Sequence, residues 1–158
     1  MQLKSLGALV VSLLLVYGAA FLGTYFTVGA IDSWYATLVR PTFAPPNWIF
    51  APVWTLLYAL MAIAAWRVYG KWKTNRTVGM TLAVYVVHLA INTLWSIVFF
   101  GFHSPLMAFG VIAILWALII YLTLRFYAID HIAGILFIPY LLWVSFAAYL
   151  NLSIVLLN

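Results

Sequence analysis

LMAFGVIAILWALIIYLTL, residues 106–124, contains no Asp, Glu, Lys or Arg. At about 1.5 Å of rise per residue, a helix of this length crosses the roughly 30 Å hydrocarbon core of a bilayer. Four more uncharged, mostly apolar stretches lie at 5–28, 48–66, 78–100 and 132–157. A charge at the centre of a spanning helix costs about 2.5–3.5 kcal/mol on insertion scales, so charged residues belong between the spans or at their ends. The expected fold is an all-α integral membrane protein. One domain over 1–158 forms a bundle of five transmembrane helices, at about 5–28, 48–69, 78–100, 105–127 and 131–157, with a long structured first loop.

Composition points the same way. The chain is 68% hydrophobic and 6% charged, and its mean hydropathy is +1.18. A soluble domain carries roughly 25% charged residues. The acidic residues are Asp32 and Asp130 alone, too few for a carboxylate metal cage or a paired-carboxylate hydrolase. Without cysteine there is no thiolate nucleophile, iron–sulfur cluster or disulfide. No Ser, His and Asp stand on one side of the membrane with recognisable spacing, and the two aspartates lie on opposite faces, so no catalytic residue and no metal site is expected. The net charge of +5 is scattered between spans and forms no nucleic-acid face.

That charge sets topology. Lys4, Arg67, Lys71, Lys73, Arg76 and Arg125 fall on one side and Arg40 on the other. Positive-inside bias then makes the N-terminus and the loops 70–77 and 125–131 cytoplasmic, with the C-terminus and first loop outside. A cleaved signal peptide is the rival reading of Lys4, the apolar run 6–16 and Gly18, Ala19 and Ala20. The run continues through Phe21, Leu22, Tyr25 and Phe26, long enough to span. Ser104 before Pro105 reads as a helix N-cap, Asp130 as the cap of the fifth helix, and 74–77 as a turn.

The loop 29–47, GAIDSWYATLVRPTFAPPN, carries Trp34 and Tyr35 in a form suited to an interfacial helical turn. Pro41, Pro45 and Pro46 stiffen it into extended geometry. Either an aromatic belt or the cover of a site accounts for it. Pro52 and Pro139 kink the second and fifth helices, and the carbonyls they free must face protein or water. Trp54, Tyr58 and Met61 share one helix face, and Tyr140, Trp143 and Ala147 another. These faces are either plain packing or walls for a flat ligand. His88, Asn92 and Trp95 lie at i, i+4, i+7 in the third helix. Interhelical hydrogen bonding is the simple role of His88 and Asn151, and haem ligation the sharper one for His88. Gly79 and Ala83, like Ala19 and Gly23, would let helices approach closely; Gly79 and Ala83 mark a candidate contact for a homodimer.

The motif RPTFAPPNW at 40–48, followed by PVWTLLY at 52–58, resembles the first-loop signature of the translocator protein family, also called tryptophan-rich sensory proteins or peripheral-type benzodiazepine receptors. NTLWS at 92–96 with FFG at 99–101 is similar to the family's third-helix motif. PYLLW at 139–143, with Phe146, Ala147, Leu150 and Asn151, is similar to its fifth-helix motif. The resemblance implies a five-helix bundle, often dimeric, that binds porphyrins such as protoporphyrin IX, other tetrapyrroles and isoquinoline carboxamides in a pocket under the first loop. By motif position the pocket residues are Tyr35, Pro45, Trp54, Tyr58, Asn92, Trp95, Trp143 and Ala147, between helices two, three and five. No cofactor is required; a porphyrin or haem-type tetrapyrrole is the implied ligand. The implied function is that of a receptor, sensor or carrier. Light-dependent porphyrin degradation and transport of small amphiphiles are the alternatives.

Phe43 stands where the family usually has tryptophan, and Arg40 where lysine is commoner. The animal members carry a cholesterol-recognition tyrosine and arginine at the end of helix five, whereas this chain has Leu152 and no Lys or Arg after Arg125. Cholesterol is therefore not expected as a partner. The resemblance is to prokaryotic members, which implies a plasma-membrane location.

Overall fold

The structure is a computed structural model that describes residues 2–158, with side chains described from Leu6 onward. The side chain of Lys4, counted in the charge bias above, lies outside the described ones. The elements in order are α1 (Gln2–Ile31), a single turn α2 (Trp34–Thr37), a 3-10 turn (Asn47–Ile49), α3 (Phe50–Tyr69), α4 (Val78–Ser96), a π turn (Ile97–Gly101), α5 (Pro105–Ile129) and α6 (His131–Leu157). Five helices are long and apolar enough to cross a membrane. Among the described residues there is no strand, so the chain is an all-α, five-span bundle. Spanning stretches must satisfy every backbone polar group internally, and a helix does this within one segment.

The helix ends differ little from those expected, apart from α1, which runs on to Ile31, and α5, which reaches Ile129. The first loop is consequently shorter than 29–47. The π turn had no counterpart in the sequence reading. Phe102 N donates to the Ile97 carbonyl at 2.9 Å and Ser104 N to that of Val98 at 3.2 Å. Ser104 sits at the N-cap position ahead of Pro105, but its side chain makes no capping hydrogen bond. Its backbone is at φ −120°, ψ 85°, and the preceding π turn occupies its N–H. In the 74–77 turn, Asn75 Oδ1 accepts from both the backbone N and the hydroxyl of Thr77, at 2.9 and 2.8 Å.

The helices form a ring. α1 packs on α3 and α4, α4 on α5, α5 on α6, and α6 on α3. The α5–α6 hairpin is the tightest pair, joined through Asp130 alone. Asp130 has an extended backbone, terminates α5 and caps α6 by accepting from Ala133 N at 3.0 Å. The same carboxylate takes both arms of the Arg67 guanidinium from α3, each at 2.9 Å. A bidentate pair of this kind fixes direction as well as distance, and it binds three helices together at one membrane face.

Inside the bundle, small and polar residues hold α1 against its neighbours. Ser12 Oγ donates to the Ala62 carbonyl at 2.8 Å and Thr93 Oγ1 to that of Ala19 at 3.1 Å. Gly23 lies against Ser96, where an added Cβ would stand 3.2 Å from Oγ. Ala19 and Gly23 thus serve close approach within the chain. The notch at Gly79 is filled by Trp72 of the same chain, and Ala83 is exposed.

Candidate functional site: an aromatic cavity under the first loop

A cavity of ≈ 590 Å³ opens between α1, α3, α4 with its π turn, and α6. The floor and walls follow from helix periodicity. Trp54 and Tyr58 stand one turn apart on α3 and stack at 5.3 Å, and Tyr58 meets Tyr17 of α1 edge-on at 6.2 Å. On α4, Trp95 stacks on Phe99 at 5.2 Å, and the π turn brings Phe100 in beside them. Trp143 of α6 packs edge-on against Phe50 at 5.7 Å. Quadrupolar rings prefer these offset and edge arrangements, so the aromatic walls brace one another and leave the space between them open.

The cover comes from α2. Tyr35 reaches the cavity while Trp34 is held between Phe99, edge-on at 5.5 Å, and His103, stacked at 4.5 Å. His103 adopts φ 53°, a left-handed conformation in which a non-glycine residue is uncommon; it places the imidazole on the indole. Arg40 lies over the Tyr35 ring at 5.5 Å. Burial raises the Tyr35 phenol above its ordinary value, and the Arg40 charge opposes that rise. Beyond α2, the Asn158 side chain accepts from Val39 N at 3.0 Å and donates to Val39 O at 3.1 Å. Phe43 stacks on Tyr149 at 4.9 Å. The loop is a strap fastened to α4 and α6, in keeping with the stiffness its prolines imply.

Seven of the eight residues expected at the pocket line this cavity: Tyr35, Trp54, Tyr58, Asn92, Trp95, Trp143 and Ala147. Pro45 does not. It lines a separate shallow recess with Leu38, Arg40 and Pro41, because the anchors at Val39 and Phe43 carry the proline segment over the outside of the bundle. The expectation of a pocket between helices two, three and five also omitted a wall. Tyr17, Phe21, Thr24 and Thr27 of α1 complete it. A signal for that wall existed: Ala20, Gly23, Thr24 and Thr27 repeat at i, i+3, i+4, i+7 as small or hydroxyl residues along one face of α1.

The polar groups of the walls are few and mostly paired. Tyr58 donates to Asn92 Oδ1 at 3.3 Å, and Asn92 Nδ2 donates to the Tyr140 hydroxyl at 2.9 Å. Trp95 Nε1 donates to Asn151 Oδ1 at 3.1 Å, and Asn151 Nδ2 donates to the Pro105 carbonyl at 2.8 Å. Asn151 is thus the interhelical tie expected of it. Tyr140, expected on an aromatic wall, lies fully buried behind the cavity. His88 is buried as well, and both its ring nitrogens are engaged, with the Tyr85 carbonyl at 3.2 Å and the Tyr140 hydroxyl at 2.8 Å. The bond to Tyr85 lies within α4, and the bond to Tyr140 ties α4 to α6, the interhelical role expected of His88. Trp143 Nε1 is buried without a partner. Among the described residues, no Asp, Glu, His, Lys or Arg lines the cavity, which can bind and stack but holds no ionisable acid or base there besides tyrosine.

The TspO/MBR family model matches residues 10–157. The chain belongs to this family. Among its relatives, the tryptophan-rich protein TspO of Chlorobaculum tepidum is 41% identical over 152 residues, covering 96% of this chain and 94% of the relative. The tryptophan-rich protein TspO of Archaeoglobus fulgidus is 42% identical, covering 95% and 96%. The human translocator protein is 32% identical, covering 83% and 78%. The cavity of this TspO/MBR member draws on all three motifs singled out in the sequence, with Tyr58, Trp95 and Trp143 as one representative of each.

Proposed function

We propose that this chain is a membrane-embedded receptor or carrier for a flat tetrapyrrole such as protoporphyrin IX, seated in the cavity beneath Tyr35. The observation that carries the reading is a ≈ 590 Å³ space walled by Trp54, Tyr58, Trp95 and Trp143 with one unpartnered indole N–H, that of Trp143, buried in its wall. An apolar aromatic ring system gains stacking area against such walls, and a few placed polar groups set its orientation. Arg40 supplies a cation at the roof, where anionic substituents would sit.

Dark titration with protoporphyrin IX, read by tryptophan fluorescence, should saturate. Each large aromatic contributes on the order of 1–3 kcal/mol of burial, so Trp54→Ala combined with Trp143→Ala should weaken affinity at least ~10-fold. Unchanged affinity in that double variant would place the ligand elsewhere. The tryptophans favour a second reading. An indole beside a photoexcited porphyrin is an electron donor; with dioxygen as the oxidant that takes up the electron and attacks the ring, the site would degrade its ligand in light. Equal bleaching rates with and without protein, under light and oxygen, would remove it.

The basic residues support a plasma-membrane orientation with the N-terminus cytoplasmic and the C-terminus outside. A reporter fused after Asn158 should then read as external; a cytoplasmic signal would invert the bundle and put the first loop inside.

A further inference from the structure

We propose that a one-way chain of hydrogen bonds, starting at the Tyr85 backbone carbonyl, turns the Tyr58 hydroxyl so that it offers the cavity only its lone pairs, and that the site therefore selects ligands presenting an N–H or O–H at that point. The inference rests on the cavity being the ligand site and adds the polarity of one of its contacts.

A backbone carbonyl only accepts, so the His88 Nδ1 that lies 3.2 Å from Tyr85 O must carry the ring proton. His88 is fully buried, with no carboxylate lining its surroundings. An unpaired charge at such a place is prohibitive, so the ring is neutral. Its Nε2 is then an acceptor, and the Tyr140 hydroxyl at 2.8 Å must donate to it. With its hydrogen committed, the Tyr140 oxygen can only accept from Asn92, which must turn its Nδ2 toward it at 2.9 Å. That turn leaves Asn92 Oδ1 facing Tyr58, which must donate to it at 3.3 Å. Each step leaves one choice, and the last is made at the cavity wall. The Tyr58 ring cannot swing away, because it is stacked on Trp54 and braced by Tyr17. His88 and Tyr140 do not line the cavity; they act on the ligand as positioning residues through Asn92.

Indole and benzofuran, equal in shape but with N–H replaced by oxygen, test this directly in nanodiscs by calorimetry. The wild type should bind indole about fivefold more tightly, the worth of one ordinary hydrogen bond. Tyr58→Phe should abolish the preference. Tyr140→Phe, which touches no ligand, should also reduce it, because the freed Asn92 amide can turn and let Tyr58 donate. Histidine-labelled NMR of the unliganded protein should show His88 protonated at Nδ1 alone. No preference for indole, failure of both probes to bind, a preference that survives Tyr140→Phe, or a proton on His88 Nε2 would each overturn the chain. Loss of porphyrin binding with these results intact would remove the tetrapyrrole reading and leave the selection standing.

Discussion

Gly134→Ala should destabilise the bundle by about 3 kcal/mol, at the upper end of what overpacking costs. A Cβ built at Gly134 would stand 2.7 Å from Tyr127 N and nearer still to Tyr127 Cα and Cβ. Two of those atoms are backbone of α5 and the third, Cβ, is fixed to it, directly across the one-residue connection at Asp130, so no side-chain rotation relieves the clash. The two helices would have to separate at the point where their packing is most extensive. Gly110→Ala supplies the control: it lies in α5, where an added Cβ meets nothing within 4 Å, and alanine's better helix propensity makes it neutral or slightly stabilising. Unfolding of both variants in detergent by denaturant titration would decide the matter. Equal stability of Gly134→Ala and wild type would mean the interhelical approach is looser than the structure shows.

Asp130→Ala should cost about 2–4 kcal/mol, the sum of a lost charge-assisted pair and a lost helix cap. Arg67 would be left with its guanidinium half-buried at the end of α3, and the N-terminus of α6 without its acceptor. Asp130→Asn keeps the cap and loses the charge, so it should fall between alanine and wild type. The Arg67 hydrogen bonds, aided by the Ala133 N–H and the Arg67 and Lys71 charges, hold the Asp130 carboxyl below its usual value of 3.8. A carboxylate with a depressed folded value stabilises the fold fully above its unfolded value and loses that contribution as pH falls through the folded one. The wild type should therefore lose stability as pH is lowered below about 4, and Asp130→Asn should show a flatter acid limb. Parallel acid limbs in the two proteins would show that the pair contributes nothing to folding.

The spans were legible because bilayer physics leaves few options. A stretch such as 106–124, uncharged and long enough to cross, has to be a helix when water is absent. The cap at Asp130 and the turn at 74–77 were legible in the same local way, since in each one side chain meets backbone two or three residues on. Local reading failed at Ser104, which holds the N-cap position at φ −120°, ψ 85° but makes no side-chain capping hydrogen bond. A π turn is written in no local pattern here. It arises where Phe99 and Phe100 must reach Trp34 and Tyr35 from the end of α4.

The cavity was half legible. Periodicity put Trp54 with Tyr58 and Trp143 with Ala147 on common faces, and motif likeness assigned those faces to one pocket. Which helix closes the ring around them depends on who packs beside whom, which is why the α1 wall was not foreseen and why Pro45 lies over a separate recess. The sequence by itself determined the solvent, the number of crossings, the charge asymmetry of the two faces and the family, because each depends on residue type and spacing along one chain. Only the tertiary structure decided that Asp130 joins three helices, that Tyr140 sits behind the cavity and not in it, and that His88, outside the wall, is linked through Tyr140 and Asn92 to the Tyr58 hydroxyl. Those facts are directions and distances between helices, and no single-chain period encodes them.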